Sequence, residues 1–107
     1  MYFKVEANQG TAAGYTWRLF GGNHELVAWA GESFPSESNA RRAAESFKAG
    51  AASARFEVYP DAGAHWRWRA WRSSDKVASS GEPFASKGNA ERAAENVKSN
   101  AGSATGP

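Results

Sequence analysis

The sequence predicts an α+β fold in which two tandem β-β-β-α units form one antiparallel sheet, with both helices packed on one face. Two observations lead to this prediction. The chain repeats itself after fifty residues, and each copy has alternating apolar positions followed by an alanine-rich stretch with helical spacing. With 107 residues, of which 41% are hydrophobic and 22% charged, the chain has the size and composition of one small globular domain.

The repeat is clearest just before and within the two predicted helices. Residues 31–48 and 81–98 align without a gap, and eleven of these eighteen positions are identical. Two copies are too few for a solenoid, so they indicate a pseudo-twofold dimer within one chain. The predicted boundaries are 1–53 for the first repeat and 54–107 for the second, which together form one compact domain.

The first copy begins with two predicted strands joined by a hairpin. Residues 2–7 alternate in polarity, so that Phe3 and Val5 share one face. Residues 15–20 repeat the alternation, and the intervening segment 8–14 contains two glycines, which are typical of a loop. Alternation with a period of two predicts strands that bury one face.

The third strand of each copy has a less certain core face. In the first copy it is predicted over residues 25–31, where four consecutive apolar residues leave both faces apolar. In the second copy Lys76 replaces Leu26, and this favours the face of Val27 and Val77 as the core side. The order of the strands across the sheet does not follow from the sequence.

The helices have the strongest local signals. Ser36 and Ser86 stand at the expected N-cap positions. Apolar residues then recur along one helical face, in the first copy at Ala40, Ala43, Ala44 and Phe47. Gly50 and Asn100 are predicted to end the helices, because both residue types tolerate a left-handed conformation. An alanine-lined helix can lie close to a sheet, with large residues such as tryptophan filling the space between.

The segments FEVYPDAGAHWRWRAW and GEPFASKGNAERAAENVK carry a further signal. They resemble the YegP-like family (domain of unknown function 1508), whose members share F-x-V-Y, G-x-W-R-W-R, a Gly/Asn turn, S-K-x-x-A and S-V-K. The resemblance covers residues 3–49 and 56–99. The first copy departs from the pattern at 15–18, where Tyr-Thr-Trp-Arg stands in place of the double Trp-Arg motif.

The resemblance implies β-β-β-α-β repeats that form one sheet, in which the last strand of each repeat crosses to the other. A strand is therefore implied that begins near Ala52 and runs into Phe56, together with a short strand after Ala101. Because residues 102–107 are poor in β-forming residues, we predict a frayed tail there. The family has no established activity, so the resemblance implies a fold and no mechanism.

The candidate site is the sheet face opposite the helices. Alternation places Trp66 and Trp68 beneath the helices and turns the arginines between them outward. The residues predicted to bind a partner on this open face are Arg18, Phe20, Arg55, Tyr59, Arg67, Arg69 and Trp71. The same side chains could instead pair across strands by cation–π contacts and keep the face solvated.

The sequence therefore predicts a non-enzymatic binding module whose partner is an unknown protein or a second copy of the chain. Single-stranded RNA or DNA is the alternative ligand, because arginines and aromatic rings on a sheet can neutralise phosphates and stack bases. The net charge of +2 is too small to indicate nucleic acid by itself. Glu6 and Glu57, on the same face, would weaken phosphate binding.

No residue is predicted to be catalytic, to bind a cofactor or to ligate a metal. Cysteine is absent, and His24 and His65 lie in or beside turns without the convergent ligands that a metal needs. No apolar run approaches the length of a membrane span, and the N-terminus lacks a signal-peptide pattern. A cytoplasmic location is the expectation that follows.

Overall fold

The computed structural model describes residues 1–10 and 13–107. The first half contains β1 (Tyr2–Ala7), β2 (Tyr15–Phe20), β3 (Leu26–Trp29), α1 (Glu37–Gly50) and the short 3₁₀ helix η1 (Ala51–Ser53). The second half contains β4 (Arg55–Pro60), β5 (Trp66–Arg72), β6 (Asp75–Ser80), α2 (Lys87–Asn100) and η2 (Ala101–Ser103). The two halves thus contain the same elements in the same order. Thr11 and Ala12, within the predicted loop 8–14, lie outside the described residues.

The strands form one antiparallel sheet in the order β1-β2-β3-β6-β5-β4. Strands β3 and β6 pair at its centre, where Trp29 lies opposite Ser79, so β1 and β4 are the edge strands. The order of the second half reverses that of the first, as a twofold axis between β3 and β6 requires. Helix α1 packs on β1 and β2, and α2 packs on β4 and β5. The predicted α+β fold is confirmed, whereas the division into repeats 1–53 and 54–107 stays a prediction.

The core lies between the helices and the sheet. Trp17 and Trp68 are completely buried there, and Trp66 is half-buried. Trp17 stacks on Phe47 of α1, with ring centroids 5.1 Å apart and planes inclined by 18°. The buried helix residues beside these rings are mainly alanines, which lets the helices approach the sheet closely.

The core side of the third strands differs from the prediction. Ala28 and its counterpart in β6 are fully buried, whereas Val27 and Val77 are only half-buried at the margin of the core. Leu26 and Ala28 pair with consecutive residues of β2, so that Val27 is an extra residue without a partner in β2. Strand β6 has the same bulge at Val77 in its pairing with β5. Because a bulge interrupts the alternation of side chains, the period-two pattern assigned the wrong core face.

Both helices begin as predicted and end differently. The hydroxyl groups of Ser36 and Ser86 each accept a hydrogen bond from the backbone N–H three residues later, at 3.0 and 3.1 Å. Gly50 and Asn100 have φ of −109° and −118°, so the predicted left-handed ends are wrong. Each helix instead tightens into a 3₁₀ turn, which satisfies terminal carbonyl groups without a left-handed residue. Among the described residues, no helix combines the length and hydropathy that a membrane-spanning segment needs.

The connection between the halves also differs from the one implied by the resemblance. Residues 51–53 are helical, so the strand implied near Ala52 begins only at Arg55. From there the chain forms β4, at the opposite edge of the sheet from β1. The crossing therefore takes place through a helical turn, and the crossing segment is itself the first strand of the second half.

The C-terminal tail, residues 102–107, is packed against the first half rather than frayed. Ala104 is 5% exposed. The Phe3 N–H donates to the carbonyl of Thr105 at 2.9 Å, and the Thr105 N–H donates to the carbonyl of Met1 at 3.1 Å. These bonds involve only the backbone, so a segment with low β propensity can make them. The predicted frayed tail is therefore wrong.

Candidate functional site

A row of side chains crosses the open face on all six strands. From β1 to β4 its members are Lys4, Arg18, Trp29, Ser79, Arg69 and Glu57. Neighbours in this central row are cross-strand partners. With strands about 4.8 Å apart, the backbones of Arg18 and Arg69 are separated by about 14 Å. The row thus links the predicted residues of the first half with those of the second.

The structure places all seven predicted residues on this face, in two groups. The first group, Arg18 and Phe20, lies on β2. The second group, which we call the arginine cluster, lies on β4 and β5 and consists of Arg55, Tyr59, Arg67, Arg69 and Trp71. Within the described residues no large hydrophobic side chain is exposed, and on this face guanidinium groups lie over the rings of Trp71 and Tyr59.

Arg69 is at the centre of the arginine cluster. Its Nε donates to Oε1 of Glu57 at 2.6 Å. Its guanidinium carbon lies 4.2 Å from the ring centroid of Tyr59 and 5.4 Å from that of Trp71. The same Glu57 oxygen accepts the indole N–H of Trp71 at 3.0 Å. One carboxylate therefore fixes the orientation of both an arginine and a tryptophan.

The charges of this cluster stabilise one another. The hydrogen bond from Arg69, and then that from Trp71, lowers the pKa of Glu57 below its ordinary value. The bond to Glu57 in turn raises the pKa of Arg69. The two side chains are 35% and 38% exposed, so water screens their attraction and the pair contributes little to the stability of the fold.

The other arginines of the face differ in their partners. Arg67 Nε donates to Oδ2 of Asp61 at 2.9 Å, and this bond is the main cause of a lowered pKa of Asp61. Arg18 pairs with a carboxylate on β1. Arg55 is exposed and lies 5.7 Å from the ring centroid of Trp71. In the part of the chain that the structure describes, no carboxylate lies within salt-bridge distance of Arg55.

Trp29 is the residue of this face that sequence reasoning missed. It lies at the middle of the central row, between Arg18 and Ser79, and is half-buried. The bulge at Val27 hid its orientation, since four apolar residues in succession gave no alternation. The aligned residue of the second copy is the polar Ser79, and this was the one signal that could have placed Trp29 on the open face.

Comparison with known proteins bears on the fold of the chain. Residues 11–57 match the family model described as "Domain of unknown function (DUF1508)". The predicted resemblance to the YegP-like family is confirmed. The matched segment runs from the loop before β2 to the beginning of β4, so it includes the whole crossing between the halves. No curated protein matches the sequence.

Two solution NMR structures share the fold. One is the protein of unknown function yegP from E. coli, with a TM-score of 0.78 and 19% sequence identity over 97% of this chain and 88% of that one. The other is a UPF0339 protein from Shewanella oneidensis, with a TM-score of 0.74 and 16% identity over 95% of this chain and 86% of that one. At these identities the likeness shows the fold and carries no information about residues of the open face.

Proposed function

We propose that the chain is a non-enzymatic binding module that uses the open face of its sheet to bind a protein partner. The observation that supports this proposal is the arrangement around Trp71. Glu57 holds its indole N–H, and Arg55 lies over the ring with a guanidinium group that has no carboxylate partner among the described residues. Tryptophan, tyrosine and arginine are the residue types that dominate the energetics of protein interfaces.

The arrangement also favours a partner of particular chemistry. Arg67 and Arg69 are already bonded to carboxylates, whereas Arg55 is available. A partner carboxylate that binds Arg55 would displace no internal ion pair, and an apolar group beside it would cover Trp71. We therefore expect a protein partner with an acidic side chain next to an apolar one. Because Glu57 holds Trp71 in place before binding, this side chain loses little entropy on association.

Single-stranded nucleic acid is the alternative ligand, and the same arginines and rings favour it. Its phosphates would have to compete with Glu6, Glu57 and Asp61, each of which is bonded to an arginine. Binding of this kind weakens steeply as salt is raised. Titration with oligonucleotides at low salt distinguishes the two proposals, because a protein-binding face should leave the tryptophan fluorescence unchanged. A cytoplasmic location also stays a prediction.

The decisive experiment reverses the charge of Arg55. Partners captured by the immobilised chain are identified, and their affinity is then measured with purified components. Arg55→Glu should weaken binding by about tenfold or more. The matched control is Arg41→Glu on the outer face of α1, where the side chain is 45% exposed; it makes the same change in net charge and should leave the affinity unchanged. Equal affinities of the two variants would overturn the proposal.

A further inference from the structure

The two edges of the sheet are not equally covered. At β1 the tail adds a short parallel strand, through the backbone bonds that join Thr105 to Phe3 and Met1. Lys48 of α1 adds a third bond, since its Nζ donates to the carbonyl of Gly106 at 2.9 Å. This edge thus shows how the fold binds an extended segment: two backbone hydrogen bonds to the strand and one lysine to a carbonyl.

Strand β4 presents the corresponding backbone groups without an added segment. The Asp61 N–H donates to the carbonyl of His65 at 2.7 Å. The backbone N–H and C=O groups of Asp61, and of every second residue before it, therefore point toward β5. The residues between them, Phe56 and Val58, therefore point their N–H and C=O groups away from the sheet. Among the described residues no other backbone segment bonds to them. Pro60, next in this series, has no N–H and ends the available edge.

A groove of about 310 Å³ lies between the β4 edge and α2. Its apolar floor includes Phe56, Val58 and Ala94, and Lys98 lies at its side. Phe56 corresponds to Phe3 of the first half, which is only 5% exposed beside the tail, whereas Phe56 is half-buried. The tail therefore lies beside Phe3 in the first half, whereas among the described residues no such segment lies beside Phe56 in the second half.

Lys98 corresponds to Lys48 and makes a different bond. Its Nζ donates to the carbonyl of Ala54 at 3.2 Å and lies 5.7 Å from the ring centroid of Phe56. Ala54 corresponds to Met1, whose carbonyl accepts the N–H of the tail in the first half. The Lys98 ammonium thus bonds to the carbonyl that would accept the N–H of an added strand. It would be free to bind a carbonyl of an added strand, as Lys48 does.

We propose that β4 and α2 form a second groove for an extended peptide, which takes a segment of small uncharged residues from another polypeptide as a parallel seventh strand. The main chain of that segment bonds to Phe56 and Ala54, and one of its carbonyls bonds to Lys98. Small residues are required because the approach is close: at the occupied edge, a Cβ on Gly106 would lie 3.0 Å from the carbonyl oxygen of Phe3. The groove carries lysines and glutamates together, so it favours no charged ligand.

The probe is an acetylated and amidated peptide with the sequence of residues 101–107, Ala-Gly-Ser-Ala-Thr-Gly-Pro. It is titrated to millimolar concentration into the ¹⁵N-labelled chain, because a few backbone bonds to an exposed edge give weak binding. We expect saturable shifts of the amide signals of Phe56 and Val58. N-methylation of the peptide threonine removes the N–H that bonds to the edge and should abolish saturation. N-methylation of the preceding alanine should not, because in the tail the N–H of Ala104 bonds to the carbonyl of Ala101 at 3.2 Å and not to the edge strand.

A matched pair of chain variants tests the lysine. Lys98→Met keeps the apolar stem and loses the ammonium, and it should weaken peptide binding by about tenfold. Lys87→Met makes the same change at the other end of the groove and should have no effect. Arg69→Ala, on β5 at the centre of the arginine cluster, should also bind the peptide as the wild type does, which separates this groove from the open face.

Four results would overturn the proposal. They are the absence of shifts at millimolar peptide, shifts confined to Phe3 and its neighbours on β1, binding that Arg69→Ala abolishes, and sedimentation of the chain as a dimer together with β4 amide signals that shift with protein concentration. The second result would mean that the peptide only replaces the tail. The last would mean that a second copy occupies the edge.

Discussion

Replacing Phe47 by alanine should destabilise the fold more than replacing Val97, although the two side chains occupy corresponding positions on α1 and α2. Each is 1% exposed. Phe47 stacks on Trp17 at 5.1 Å between ring centroids and packs edge-on against Phe3 at 6.5 Å. Val97 has no ring to stack on Trp68. The first half of the core therefore has three packed rings, whereas among the described residues of the second half only Phe56 and Trp68 pair, with ring centroids 5.3 Å apart.

The magnitude follows from what each substitution removes. Truncation of a buried phenylalanine to alanine costs about 3–5 kcal/mol of unfolding free energy. Aromatic pairs add about 0.5–1.5 kcal/mol beyond burial, which places Phe47→Ala near the upper end of that range. Val97→Ala removes two methyl groups at about 0.8 kcal/mol each and leaves a small cavity, so we expect about 2 kcal/mol.

Urea titration followed by far-ultraviolet circular dichroism measures both free energies without relying on tryptophan fluorescence, which loss of the stacked ring would itself change. Phe47→Ala should lose at least about 1.5 kcal/mol more than Val97→Ala. A difference below about 0.5 kcal/mol, the ordinary scatter of neutral substitutions, would refute the reasoning. It would mean that Phe47 stabilises the fold no more than Val97 does, despite its larger buried side chain and its stacking on Trp17.

The caps, the tail and the open-face carboxylates can be tested in the same way. Ser36→Ala and Ser86→Ala should each lower the unfolding free energy by about 1 kcal/mol in urea titration, and unchanged midpoints would contradict the capping bonds. Deletion of residues 104–107 should leave the fold intact and speed hydrogen exchange of the Phe3 amide, which loses its acceptor. Equal protection of this amide in the truncated and full-length chains would contradict its hydrogen bond to Thr105. The lowered pKa of Glu57 means that its contribution to stability is present above the pKa of the unfolded chain and is lost as pH falls through the folded pKa. Carboxyl NMR titration should therefore show Glu57 titrating below the ordinary glutamate range, and an ordinary pKa would rule out the bond to Arg69.

Most of the fold could be predicted because its signals are local. Hydroxyl caps, alanine stripes and alternating strands are properties of a few neighbouring residues, and the fifty-residue repeat doubled each signal. The core face of β3 was wrong because the bulge at Val27 interrupts the alternation. The tail was wrong because its pairing uses backbone groups of Thr105, which every residue except proline possesses.

The sequence predicted which face the seven candidate residues lie on, but it missed Trp29 and could not predict the contacts between the side chains. Alternation alone turned Arg67, Arg69 and Trp71 outward, and the structure agrees. That Glu57 bonds to both Arg69 and Trp71 depends on the register between β4 and β5, which two strands of similar pattern do not specify. The availability of Arg55 follows from the same register and became visible only with the structure.

The carbonyl of Met1 and the N–H of Thr105 are hydrogen-bonded, so the two ends of the chain are neighbours. A short linker could join them, and a new opening at the exposed Ser53 would then yield a circular permutant with the halves in reverse order. Every strand and ladder and both α-helices would be retained. Because such a permutant would keep the pairing of β3 with β6, we expect it to fold with either half first in the chain.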